Sequence, residues 1–161
     1  MLKTALDFFD SYFMRLALNL ARQASDKGEV PVGAVVARGG VLLASGYNTR
    51  EALRDPLGHA EINALRGASS LTGYKRLFGC SIYVTLEPCP MCAGAILEAG
   101  ISRIVFGAYD EKAGACGTFM NVADYPGYSK RAEIKGGVME KECRMLLQDF
   151  FKKLREKRRD G

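Results

Sequence analysis

The 161-residue chain contains a single histidine, His59, so any metal site that uses an imidazole must be built around that residue. No apolar run approaches the roughly 20 residues a membrane-spanning helix needs, which argues against an integral membrane protein. The opening residues, MLKTALDFFDSYF, carry acids where a secretory signal needs an unbroken apolar core, so no signal peptide is expected. Repeats, low-complexity tracts and internal linkers are missing too. The five cysteines are an odd number, and two of them fall in the metal-binding pattern described below. A disulfide framework is therefore not expected. Cys80, Cys116 and Cys143 read as free thiols in a reducing, cytoplasmic compartment.

What is present suits one ordinary globular domain over residues 1–161. Hydrophobic residues make up 48% and charged residues 25% of the chain. A chain of this length can bury about 68–70% of its unfolded surface and needs no staple to fold. The charge is unevenly spread. Residues 152–160 hold Lys152, Lys153, Arg155, Lys157, Arg158 and Arg159 against two acids, which is +4 of the net +5. A solvated helix end whose cations complement the dipole accounts for two or three of these. Six beside an enzyme-like core point to phosphate contacts, made apart from the catalytic pocket.

Apolar spacing predicts an amphipathic helix over 10–27, capped by Asp10 or Ser11 and stopped at Gly28. Val32–Ala37 and Val41–Ser45 form a hairpin through Gly39-Gly40. A polar loop from Asn48 and Thr49 leads to Asp55-Pro56-Leu57-Gly58, and a helix starts at about His59. A buried strand over Ser81–Leu86 runs into a helix from Cys89 to about Ala99, followed by a strand over Ile101–Gly107. After a Gly- and Ala-rich connection (Gly107–Asp124) come a short strand near 132–134 and a basic helix at about 141–160. This alternation predicts a three-layer α/β/α sandwich with a mixed, mostly parallel five-stranded sheet.

Two stretches carry the chemistry: His59-Ala60-Glu61 and Pro88-Cys89-Pro90-Met91-Cys92. Cys89 and Cys92, at i and i+3, face one side of a helical turn. One imidazole and two thiolates suit a tetrahedral zinc whose fourth position stays open, the arrangement of catalytic zinc sites. Glu61 lies two residues past His59, where it can flank the metal and move protons without ligating. Both motifs fall at helix N-termini, where the partial positive charge favours thiolate over thiol. A lone CxxC would also fit a thioredoxin-like redox pair. Joined to H-x-E at this separation, it matches the signature of the zinc nucleobase deaminases.

With EVPVGAVV, HAEINALR, YVTLEPCPMCAGAI, RIVFGAYDEKAGACG and LLQDFFKKLR in hand, nearly the whole chain resembles the bacterial tRNA-specific adenosine deaminases of the cytidine-deaminase-like superfamily. The resemblance implies that His59, Cys89 and Cys92 hold one Zn2+ and that Glu61 shuttles protons. It also implies that Asn48 hydrogen-bonds the target base, that the Ala60 backbone lines its pocket, and that Asp110 contacts ribose. Phe150 and Phe151 match aromatic residues near the anticodon, with Lys152, Lys153, Arg155 and Arg158 as the adjoining nucleic-acid tail. A tRNA anticodon stem-loop as partner and a homodimer follow from the same likeness. One departure is visible. The family usually shows Thr-Ala where this chain has Leu57-Gly58, which frees the backbone entering the metal helix and removes a methyl from the pocket rim.

The expected reaction is hydrolytic deamination of adenosine to inosine on a single-stranded or flipped base. Two alternatives remain at this level. A deaminase of free guanine or cytidine would share the chemistry but leave the basic tail without a use. A zinc module closed by Cys80, Cys116 or Cys143 would leave Glu61 without a role.

Overall fold

The computed structural model describes residues 2–159, with side chains from Ala5 onward. The elements follow in the order α1 (Leu2–Asp26), β1 (Gly33–Arg38), β2 (Val41–Tyr47), α2 (Arg50–Leu53), α3 (Ala60–Thr72), β3 (Cys80–Leu86), α4 (Pro90–Glu98), β4 (Arg103–Ala108), β5 (Glu133–Lys135) and α5 (Glu140–Arg159). Residue 160, the expected end of the basic helix, lies outside the described residues.

The sheet order is β2-β1-β3-β4-β5. β1 pairs antiparallel with both β2 and β3, while β3–β4 and β4–β5 are parallel. Four strands therefore run one way and β1 alone is reversed. The β1–β2 turn holds Gly39 and Gly40 at φ +57° and +80°, the left-handed conformation that a two-residue hairpin turn demands.

Alternation along the strands divides the core. Ala34, Val36, Ile82, Val84, Ile104 and Phe106 face α3 and α4, meeting Ala60, Ala64, Leu65, Ala93 and Ile96. Val35, Ala37, Tyr83 and Val105 face the opposite side, against Phe13, Met14, Ala17 and Leu18 of α1 and Cys143 of α5. Helices thus cover both faces, as expected for strands that read as near-continuous apolar runs. α3 lies close on β2: a Cβ on Gly46 would stand 2.7 Å from the Ala60 carbonyl oxygen.

One expectation fails at the start of the chain. Asp10 does not cap a helix but sits inside α1, 1% exposed. Its carboxylate accepts from Arg103 Nη1 and Nη2 at 2.5 and 3.0 Å and from Lys135 Nζ at 2.7 Å. An acid committed to a distant guanidinium looks, in sequence, like a local cap.

Candidate active site

The carboxyl ends of β3 and β4, the start of β1 and the end of β2 meet at one edge of the sheet, where α3 and α4 begin. His59 is the N-cap of α3 and Cys89 that of α4, with Pro90 in the first turn. His59 is in extended conformation (φ −82°, ψ 148°). It therefore escapes helical geometry, and it lines the same pocket as Glu61 although only two residues away.

His59 Nδ1 lies 3.8 Å from Cys89 Sγ and 3.5 Å from Cys92 Sγ, and the three donor groups lie within 4.8 Å of one another. A tetrahedral ion with a metal–nitrogen bond of about 2.0 Å and metal–sulfur bonds of about 2.3 Å separates nitrogen from sulfur by about 3.5 Å. The donor set therefore fits zinc, with Nδ1 as the nitrogen aimed at the ion. Cys80, Cys116 and Cys143 are buried outside this cluster, so none closes a fourth position.

The electrostatics set the two thiols apart. The Cys92 thiol, donating to Cys89, pulls the Cys89 thiol down to about 4 against the effect of burial, and His59 helps. Cys92 is pushed up by the same contact and by burial. A coordinated divalent cation deprotonates such thiols outright. Hydrogen bonding with Cys89 also raises His59, a proton that a metal displaces on binding. Burial pushes Glu61 up to about 7, in the range useful to a group that must both take and give protons.

The pocket has a volume of about 510 Å³. Asn48, His59, Glu61, Cys89 and Asp110 line it, as do Phe150 and Phe151. Asn48, 8% exposed, accepts the Ala60 N–H on Oδ1 at 2.9 Å. It thereby supplies the cap that His59 does not provide. Ala60 contributes through that amide and not as part of the lining. Asp110 Oδ1 accepts from its own loop, the N–H groups of Lys112 and Ala113 at 2.9 and 3.1 Å.

The basic run divides. Arg158 lines the pocket together with Leu154, so the tail does not lie apart from it as the sequence suggested. α5 is amphipathic, and docking its Cys143–Leu147 face on the core swings its last turns over the opening. Lys152 and Lys153 are exposed outside the lining, and Arg155 borders a neighbouring groove with Lys112, Arg144 and Phe151.

Gly58 is also not at the rim. It is buried, and a Cβ there would stand 3.0 Å from Thr49 Oγ1 and 3.1 Å from the Arg50 nitrogen. The missing methyl lets the loop holding Asn48 close tightly.

Two buried pocket carboxylates escaped sequence reasoning. Glu29 accepts the N–H groups of Glu51 and Ala52 at 3.2 and 2.8 Å, which holds the start of α2. Glu87 accepts three N–H groups from the loop after β4. For Glu87 the available signal was a glutamate set directly after the apolar strand β3.

A fold with two helix N-termini that present one imidazole and two thiolates beside a buried glutamate defines a zinc-dependent hydrolytic deaminase. The model of the cytidine and deoxycytidylate deaminase zinc-binding region matches residues 8–108, and the chain belongs to that family. It is 42% identical to a tRNA-specific adenosine deaminase of Bacillus subtilis (strain 168) over 93% of each chain. It is 46% identical to one from Haemophilus influenzae, covering 94% of this chain and 88% of the relative. Among solved structures it is similar to one from studies of A-to-I editing by tRNA:A34 deaminases at the wobble position of transfer RNA. That match has a TM-score of 0.82 and 40% identity, over 84% of this chain and 99% of the other.

Proposed function

We propose that the protein deaminates adenosine to inosine at the wobble position of a tRNA anticodon. One observation carries the choice of an RNA substrate over a free base. Phe150, Phe151, Leu154 and Arg158 of the basic helix α5 form a wall of the same pocket as the metal donors and Glu61. Aromatic faces and a guanidinium beside the catalytic groups suit a nucleotide embedded in a phosphodiester chain. A free nucleobase can stack on the rings but brings no phosphate for the guanidinium of Arg158 to meet. The names of the two relatives above support the same choice.

His59, Cys89 and Cys92 would hold a zinc ion, which would supply a Lewis acid that acidifies water. The two thiolates would offset the ion's charge, which leaves more of the proton work to Glu61. Glu61 takes the proton of the water that adds to C6 of adenine. It passes that proton to N1, then takes the second one from the new C6 hydroxyl and gives it to the amino group, which leaves as ammonia while the C6 carbonyl forms. Asn48, its Oδ1 held by the Ala60 N–H, offers its amide donors to the base. Asp110 keeps Oδ2 for a ribose hydroxyl while Oδ1 serves its own loop. A homodimer in the cytoplasm completes this reading, and analytical ultracentrifugation checks the stoichiometry.

The deciding assay offers an anticodon stem-loop with adenosine at the wobble position against free adenosine, cytidine and guanine. Inosine should form in the stem-loop. Faster turnover of a free base or nucleoside would replace this reading.

A further inference from the structure

Glu87 stands between the end of β3 and the Pro88-Cys89 start of α4, and it is 2% exposed. Its own N–H is fixed by the Ala108 carbonyl at 2.9 Å. Among the described residues it forms no ion pair with a lysine or arginine. Its carboxylate is instead turned on a loop. Oε1 accepts the N–H groups of Cys116 and Thr118, and Oε2 that of Asp110, all at 3.1 Å. Alongside, Ala115 N–H donates to the Pro88 carbonyl at 2.8 Å. Gly114 closes over the carboxylate, where a Cβ would collide with Oε2.

A segment without regular strand or helix has backbone donors that must find partners. Here the partners are gathered on one side chain. Because Glu87 precedes Cys89 by two residues, the junction that presents the metal donors also carries the Asp110 wall of the pocket. We infer that Glu87 is a positioning residue for the deamination reaction, which sets where the Asp110 loop meets the RNA relative to the metal. The inference rests on the proposed RNA substrate only for its kinetic consequence, since the anchoring itself is a property of the chain.

The test uses the zinc-loaded, full-length protein. Glu87→Gln preserves size but turns one acceptor into a donor that faces N–H groups. Amide hydrogen exchange at 110, 116 and 118 should speed up while zinc content stays at wild-type level. KM for the anticodon stem-loop should rise roughly 10- to 100-fold, the scale of a misplaced binding group, with kcat at saturating RNA within a few-fold of wild type. Asp110→Ala should raise KM as well, and the double variant should be little worse than either single one, because both act through one wall. Additive KM effects, or a Glu87→Gln variant with unchanged KM, would overturn the inference.

If Glu87→Gln does not fold, Gly114→Ala disturbs the same anchor from the loop side and should show the same exchange and KM pattern. An intact KM there overturns the inference. If wild-type protein leaves RNA unaltered, the substrate reading fails. The exchange comparison then still decides the anchor: unchanged protection at 110, 116 and 118 in Glu87→Gln overturns it, and faster exchange supports it.

Discussion

Glu61 and Asn48 line one pocket under different constraints. Glu61 is 4% exposed, and burial holds its carboxyl near neutrality, where proton transfer in both directions is easy. Glu61→Gln keeps the shape and loses the base. It should retain about one zinc per chain, by elemental analysis, while kcat falls by about 10²–10⁴-fold or more, since one group serves several transfers. Loss of zinc together with activity would make Glu61 a ligand. His59, Cys89, Cys92 and Glu61 were legible in the sequence because their spacing is itself the chemistry. Glu29 and Glu87 were not, because their partners are backbone N–H groups more than 20 positions away, and a backbone amide carries no sequence signal.

Among the elements, α1 shows how tertiary pairing overrides local reading. Its apolar spacing was legible over 10–27, but its first turns were not, since Asp10 serves Arg103 on β4 and Lys135 on β5. Burial would raise the Asp10 carboxyl, yet hydrogen bonds from Arg103 and Lys135 outweigh it, and the net shift is downward. A carboxylate lowered in the folded state adds stability that is present above its unfolded value of about 4 and lost as pH falls through the folded value. The contribution should thus be full at neutral pH and disappear only below about 4. Asp10→Asn leaves Arg103 with only the exposed Glu133 as its charge partner. It should cost about 1.5–3 kcal/mol in urea unfolding at pH 7, the scale of hydrogen bonds to charged groups, and the deficit should shrink at acidic pH. An equal deficit at pH 3 and pH 7 would assign the loss to packing. The hairpin and the strand-to-helix step at Cys89 matched expectation within a residue or two, because glycine pairs and proline mark them locally.

On the scale of the whole molecule, the three-layer sandwich followed from strand and helix alternation. The reversal of β1 between β2 and β3 is a matter of pairing that alternation does not encode. The position of α5 was also hidden: its charge was visible, but not that its last turns return to the metal end. Replacing Lys152, Lys153 and Lys157, none of which lines the pocket, with glutamine separates charge from pocket shape. Binding of the stem-loop should weaken, and the slope of log affinity against log salt should flatten by about 0.7–0.9 for each phosphate no longer neutralised. Turnover at saturating RNA should stay near wild type. An unchanged slope across several salt concentrations would remove these lysines from RNA binding. The pocket is drawn from residues as far apart as Gly28 and Arg158, whereas the metal donors are complete at Cys92. A growing chain leaving the ribosome therefore carries its whole ligand set while the α5 wall of the pocket is still unmade. A chain that ends before α5 thus has all three metal donors but lacks Phe150, Phe151, Leu154 and Arg158 of the pocket wall.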